Sequence, residues 1–157
     1  MTKLHILAVG RLRKGPELSL VSDYLDRAEK AGRNLGLSVG PVIEVEDKRG
    51  GGMAGEAEVL RKAIPKGAVL CVLDERGKLL DSRAFAGKIE SYRDQGVSDI
   101  VFIIGGADGI DPSLRAEADM ALSLGKMVWP HMLARVMLSE QIYRAVSILA
   151  GSPYHRD

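Results

Sequence analysis

Two stretches of this 157-residue chain carry residue types whose spacing could do chemistry. The first is Gly105-Gly106-Ala107-Asp108-Gly109, directly after the apolar run Ile100–Ile104. Three glycines in five residues let the backbone take positive φ, or let a ligand come close to it. The stretch is neither a GxGxxG fingerprint nor a GxxxxGK[ST] phosphate loop, and a tight strand-to-helix turn would use the same glycines. The second stretch is the terminal Tyr154-His155-Arg156. Its side chains can stack on a base, exchange a proton near neutral pH and pair with phosphate. Chain ends fray, so a tail with no role is an equally open reading.

Other chemistries find little support. Cys71 is the only cysteine and lies in the apolar run AVLCVL, so it reads as a small core residue. It excludes an internal disulfide and fits a reducing compartment. There is no CxxC, no HExxH and no carboxylate pair at metal spacing, so no metal is expected. No GxSxG and no Ser/His/Asp arrangement is readable. The net charge of +1 does not demand a nucleic-acid partner; one would need a local basic patch. The apolar run at the N-terminus is too short for a signal peptide or membrane span, and a cytoplasmic protein is expected.

The elements that must position these residues alternate between strand and helix. Leu4–Val9 reads as a strand closed by Gly10, followed by the basic turn Arg11, Arg13, Lys14. Pro16 opens an amphipathic helix of roughly five turns, ended by Gly32 and Gly36. Leu37–Val45 reads as a strand that Gly40-Pro41 interrupts or confines to an edge. Asp47–Gly55 reads as a loop, Glu56–Ile64 as a short helix, and Ala68–Leu73 as a strand with a turn at 74–77. Asp81 or Ser82 caps the next helix, which stops at Gly96. Asp111-Pro112 opens a short helix to about Asp119. Ala121–Trp129 reads as a short strand and a ligand-facing loop, and Met132–Ala150 as a helix apolar on nearly every face, buried or packed on another chain. This alternation predicts a parallel-rich α/β sheet flanked by helices, in a single domain over residues 1–157.

In such a sheet, ligands sit beyond the carboxyl ends of the strands. Leu73-Asp74, Gly105-Gly106 and the loop Leu124–His131 could then lie side by side. Backbone amides and carbonyls with Leu73, Ile104, Leu124, Met127 and Trp129 would suit a neutral heterocycle such as adenine.

Three passages, FIIGGADGID, ALSLGKMVWPHMLARVMLSEQIYRA and the terminal PYHRD, occur in order. With KLHILAVGRL and VLDERGK they closely resemble the RlmH family of SPOUT methyltransferases, over nearly the whole chain. The resemblance is weakest over Asp47–Ile64. It implies a SPOUT-type α/β knot with a C-terminal trefoil knot. It implies an S-adenosylmethionine-dependent enzyme that methylates N3 of a pseudouridine in helix 69 of 23S rRNA within the assembled ribosome. It implies a homodimer with the site at the interface. Cofactor contacts would fall on Leu73, Gly105, Gly106, Leu124, Gly125, Lys126, Met127, Val128, Trp129, Pro130 and His131. The substrate side would hold His155 and Arg156, with Tyr154 and Arg135 as further candidates. Arg11, Arg13, Lys14, Lys48 and Arg49 from two subunits could clamp the RNA. A non-catalytic ribosome-associated RNA-binding protein with the same fold is the alternative.

Overall fold

A computed structural model describes residues 1–157. At its centre is β1 (Thr2–Val9), in which every residue but Lys3 is buried. An unbroken Leu-His-Ile-Leu-Ala-Val run suits a strand covered on both faces. On one side β1 pairs with β5 (Asp99–Ile104), which pairs with β4 (Val69–Leu79), which pairs with β6 (Met120–Ser123). On its other side β1 pairs in succession with β2 (Leu37–Val39) and β3 (Ile43–Val45). Every pairing is parallel, as the alternation of strand and helix predicts.

The gap between β2 and β3 is the Gly40-Pro41 step. Gly40 still donates to the Leu4 carbonyl at 3.0 Å, but Pro41 has no N–H to offer, so the ladder lapses and resumes at Ile43.

The alternating side chains of the strands divide the core in two. Leu4, Ile6, Ala8, Ile100, Phe102 and Cys71 face α1 (Pro16–Gly32), α3 (Ser82–Asp94) and α5 (His131–Leu149). Phe85 of α3 meets Phe102 with ring centroids 5.7 Å apart. Leu7, Val9, Val72, Val101 and Ile103 face α2 (Gly52–Ala63) and α4 (Pro112–Glu117). Cys71 is fully buried, and desolvation pushes its thiol up to about 12. His5 is structural, with Nε2 2.7 Å from the Asp99 carboxylate across the β1–β5 pair.

Two segments differ from the expectation. The helix placed at Glu56 begins at Gly52, inside the stretch read as a loop. The Asp47 carboxylate accepts from the Arg49 and Gly51 N–H groups and so orders the chain that leads into the helix, which then runs through Gly52 and Gly55 although glycine weakens a helix interior. The turn placed at 74–77 is instead part of β4, which runs on to Leu79 with a register shift between Leu73 and Lys78. A bulge of this kind adds residues to one strand without ending it. Gly77 permits it, because a Cβ there would lie 2.6 Å from the Ala121 carbonyl.

No helix is long and apolar enough to cross a membrane. The first turns of α5 and the loop before it leave Met127, Val128, Trp129, Met132 and Leu133 exposed, with Val128 at 83 %.

Candidate active site

Because β5, β4 and β6 are neighbours, their carboxyl ends come together at one edge of the sheet. Between them lies a cleft of about 500 Å³. Leu73, Ile104, Leu122, Leu124, Met127 and Trp129 give it apolar walls, and the Gly105, Gly106 and Gly125 backbones line it too. Val128 and His131 reach it from the loop and from α5, whereas Lys126 and Pro130 are exposed and do not line it.

The glycine turn is tightly closed. Gly109 donates to the Gly106 carbonyl at 3.0 Å and takes φ +86°. A Cβ on Gly105 would lie 2.7 Å from the Gly109 carbonyl oxygen, so this glycine serves the turn itself. Gly106 answers to a different neighbour. A Cβ there would lie 2.7 Å from Oε2 of Glu56, a carboxylate from α2 that rests on the turn. Burial, then the charges of Asp108 and Asp47, hold the Glu56 carboxyl above its ordinary value. Nothing in the sequence around Glu56 signals this placement, since α2 is where the family resemblance is weakest.

The bulge of β4 is fixed to α4. Asp74 accepts from the Arg76 N–H at 2.9 Å and pairs with Arg115 at 3.1 Å. Desolvation pushes its carboxyl up, but the hydrogen bonds from Arg76 and the charges of Arg115 and Arg76 outweigh it, and the net shift is downward. At the end of β6, Ser123 Oγ accepts from the Gly125 N–H and lies 3.1 Å from the Glu75 carbonyl, to which it can donate. Gly125 at φ +120° then turns the chain into the exposed loop.

A second hollow of about 670 Å³ adjoins the cleft. Leu122, Leu124 and Gly125 line both. Its far side is the chain terminus, His155, Arg156 and Asp157. The tail is docked. Tyr154 packs on Tyr143 with centroids 4.6 Å apart, lies under the Arg144 guanidinium at 4.7 Å, and donates its hydroxyl to Glu140 at 3.0 Å. Burial and the Glu140 carboxylate push the Tyr154 phenol up to about 12.

The partners of His155 fix its tautomer. Arg144 can only donate, so Nδ1, 3.1 Å from its Nη1, must be the acceptor. The proton of the neutral ring then sits on Nε2, which donates to Asp157 at 3.0 Å. Both ring nitrogens are engaged. Arg156 makes no hydrogen bond or ion pair and is exposed.

Arg135 is not with the tail. It is 3 % exposed, pairs with Glu44 at 2.6 Å and donates to the Gly10 carbonyl at 3.2 Å. It lines a separate hollow under α1 with Leu12 and Val39. Of Arg135, Ser139 and Tyr143, which recur every four residues along α5, Ser139 turns back to the Arg135 carbonyl at 2.8 Å and only Tyr143 reaches the tail.

A profile described as a predicted SPOUT methyltransferase matches residues 2–155. Relatives named ribosomal RNA large subunit methyltransferase H include one from Ruegeria sp., 62% identical over 154 residues, covering 98% of this chain and 99% of the relative. Another, from Roseobacter denitrificans, is 63% identical over 155 residues and covers 99% of both chains. The chain belongs to the RlmH family of SPOUT methyltransferases. The fold agrees. A probable methyltransferase from Bordetella pertussis superposes with a TM-score of 0.54 at 12% identity, over 92% of this chain and 95% of that one. A probable methylase family protein from Haemophilus influenzae gives 0.51 at 13% identity, over 99% of this chain and 70% of that one. Within the RlmH family fold, the cleft is thus formed by strand ends and the hollow beside it is closed by the terminal residues of the chain.

Proposed function

We propose that this chain is an S-adenosylmethionine-dependent methyltransferase of large-subunit ribosomal RNA, acting on N3 of a pseudouridine in helix 69 of 23S rRNA within the assembled ribosome. The whole chain acts as one domain with the knotted C-terminal threading of its family, in the cytoplasm, as a homodimer. The observation that carries this reading is the wall of Leu122, Leu124 and Gly125 shared by the cleft and the tail hollow, which sets a donor site against an acceptor site.

The residues present fit the donor. Leu73, Leu124, Met127 and Trp129 offer apolar faces to an adenine ring, and the backbone of the Gly125–His131 loop can read its edge. Asp108 and Glu56 put negative charge beside the glycine turn, where a cationic ligand is favoured. Bound there, S-adenosylmethionine supplies an electrophilic methyl group on a sulfonium. What the chain must add is alignment of the incoming nitrogen with that carbon.

N3 gains a bond to the methyl carbon as the carbon–sulfur bond breaks, with its electron pair left on a neutral thioether, and N3 loses a proton. His155 is a poor acceptor for it as docked, since its only lone pair is already bonded to Arg144. Arg156, with no partner of its own, is placed to stabilise negative charge developing on the uracil ring. The proton then leaves to solvent. Tyr154 holds the tail on α5, and Arg135 belongs to the interior and not to the substrate side.

The exposed Met127, Val128, Trp129, Met132 and Leu133 are the surface on which a second copy packs. Arg11, Arg13, Lys14, Lys48 and Arg49 are exposed beyond β1 and β3, at the same edge as the cleft, and supply positive charge for RNA.

Mass spectrometry of that pseudouridine in a strain lacking the gene is the deciding test. The methyl group is expected to vanish, and its persistence means the assigned substrate is wrong. Calorimetry with S-adenosylmethionine separates the enzyme from a non-catalytic RNA-binding relative, which need not bind it.

A further inference from the structure

Arg83 stands in the first turn of α3, where the helix dipole disfavours a cation. It is exposed and lines the hollow that the tail closes. Its guanidinium grips Asp157 with two parallel bonds, Nε to Oδ1 at 2.8 Å and Nη2 to Oδ2 at 2.9 Å. Fork-to-fork pairing of this kind fixes direction as well as distance. The same Oδ1 accepts from His155 Nε2 at 3.0 Å. The last residue of the chain is thus tied to α3, while Tyr154 and His155 are tied to Glu140 and Arg144 of α5. The hydrogen bonds from Arg83 and then from His155 push the Asp157 carboxyl down to about 2, so it is ionised at neutral pH.

We infer that Arg83 is a positioning residue, which through Asp157 holds His155 and Arg156 against the hollow beside the cleft. This rests on reading the tail as the substrate side. The geometry shows why one more tie is needed. Gly151, Ser152 and Pro153 are exposed between the end of α5 and the tail, so without Arg83 nothing beyond the His155–Arg144 bond would hold Arg156 and Asp157 in place. Arg83 closes the loop from the opposite wall of the hollow, and the Asp157 carboxylate offsets the charge it would otherwise offer to phosphate. Arg156 is left as the unpaired cation of the tail.

The alternative is that Arg83 touches RNA directly and Asp157 merely masks it. Four variants of the full-length protein decide between them: Arg83→Ala, Asp157→Ala, Arg83→Lys and the reversed pair Arg83→Asp with Asp157→Arg. Each is assayed for methyl transfer to ribosomes, for S-adenosylmethionine binding by calorimetry and for tail order by ¹⁵N relaxation. A clamp makes both alanine variants lose kcat alike, by roughly fivefold as suits an exposed pair, and loosens the tail in both. KM and cofactor affinity stay as they were. Lysine, a single point charge, restores part of kcat, and the reversed pair restores more than either of its single changes. An RNA contact gives the opposite pattern: Arg83→Ala raises KM, Asp157→Ala lowers it, the tail stays ordered, and reversal rescues nothing. That pattern overturns the proposal, as does unchanged kcat in both alanine variants. Failure of the underlying reading looks different again, for then a chain lacking Tyr154–Asp157 still methylates.

Discussion

Glu56 and Gly106 show how a single side chain can change what a glycine is for. The open space expected over the turn is already taken by a carboxylate. Gly106→Ala therefore acts first on Glu56, displacing its flexible end toward the cleft. S-adenosylmethionine binding is expected to weaken roughly tenfold, about 1.4 kcal/mol, and Glu56→Ala in the same chain should recover part of the loss. Calorimetry on the two variants checks this, and equal affinity in Gly106→Ala and wild type would sink it. Arg135 gives the second case. Its guanidinium is sealed in the core with Glu44 as its counter-charge. Desolvation pushes the Glu44 carboxyl up, but hydrogen bonds from the Leu12 N–H and Arg135, with the charges of Arg135 and Arg11, outweigh it and leave it below 4.5. A value lowered by folding contributes stability above the unfolded glutamate range, and that contribution fades as pH falls through the folded value. Glu44→Gln should cost roughly 2–4 kcal/mol at neutral pH, because it strands a buried cation. It should also flatten the acid limb below about pH 4.5. Urea melts at several pH values measure both effects.

At the scale of elements, β6 is the weakly held part that matters most. It is four residues long, sits at the sheet edge, and delivers the loop that walls both hollows. Its approach to β4 depends on Gly77. Gly77→Ala should destabilise the fold by about 1–3 kcal/mol and weaken donor binding together, since the Cβ would push the Ala121 backbone away. Thermal unfolding and calorimetry on the same sample report the two losses. The order of strands and helices was legible from apolar runs and caps: Asp81 and Asp111 do cap α3 and α4, accepting from Ala84 and Ser113. The cleft was legible as well, because parallel strands end on the same side. The rest was hidden for physical reasons. Local composition reads 74–77 as a turn, and only the resumption of pairing with β6 at Lys78 and Leu79 makes it a bulge within one strand. Three glycines hide the start of α2, and the carboxylate that orders the chain before it sits four residues before Gly51. The direction of Arg135 could not be read, because helical spacing gives a face and not what lies opposite it. In the tail, residue types suggested stacking and charge, but the partners that dock it come from α3 and α5.

At the scale of the molecule, the N-terminal turns of α5 carry apolar side chains that this structure leaves uncovered. Met132 and Leu133 are 43 % and 42 % exposed, beside Val128 and Met127. A patch of this kind needs a partner. Sedimentation should show a dimer, and Leu133→Glu should shift it to monomer with loss of methyl transfer, since burying a carboxylate in an apolar contact is costly. An active monomer would contradict a shared site.

Cys71 carries a consequence for such an assembly. The thiol is fully buried and remains protonated across the physiological range, whereas oxidants and alkylating reagents attack thiolates within reach. No disulfide chemistry is therefore open to the folded chain. Copies of it would associate only by surfaces that part under denaturant, never by a disulfide bridge, and non-reducing gels should show a single chain. A cysteine placed by design on the tail or on the loop before α5 would then be the one reactive thiol in the folded protein, free to report their motion without any background to subtract.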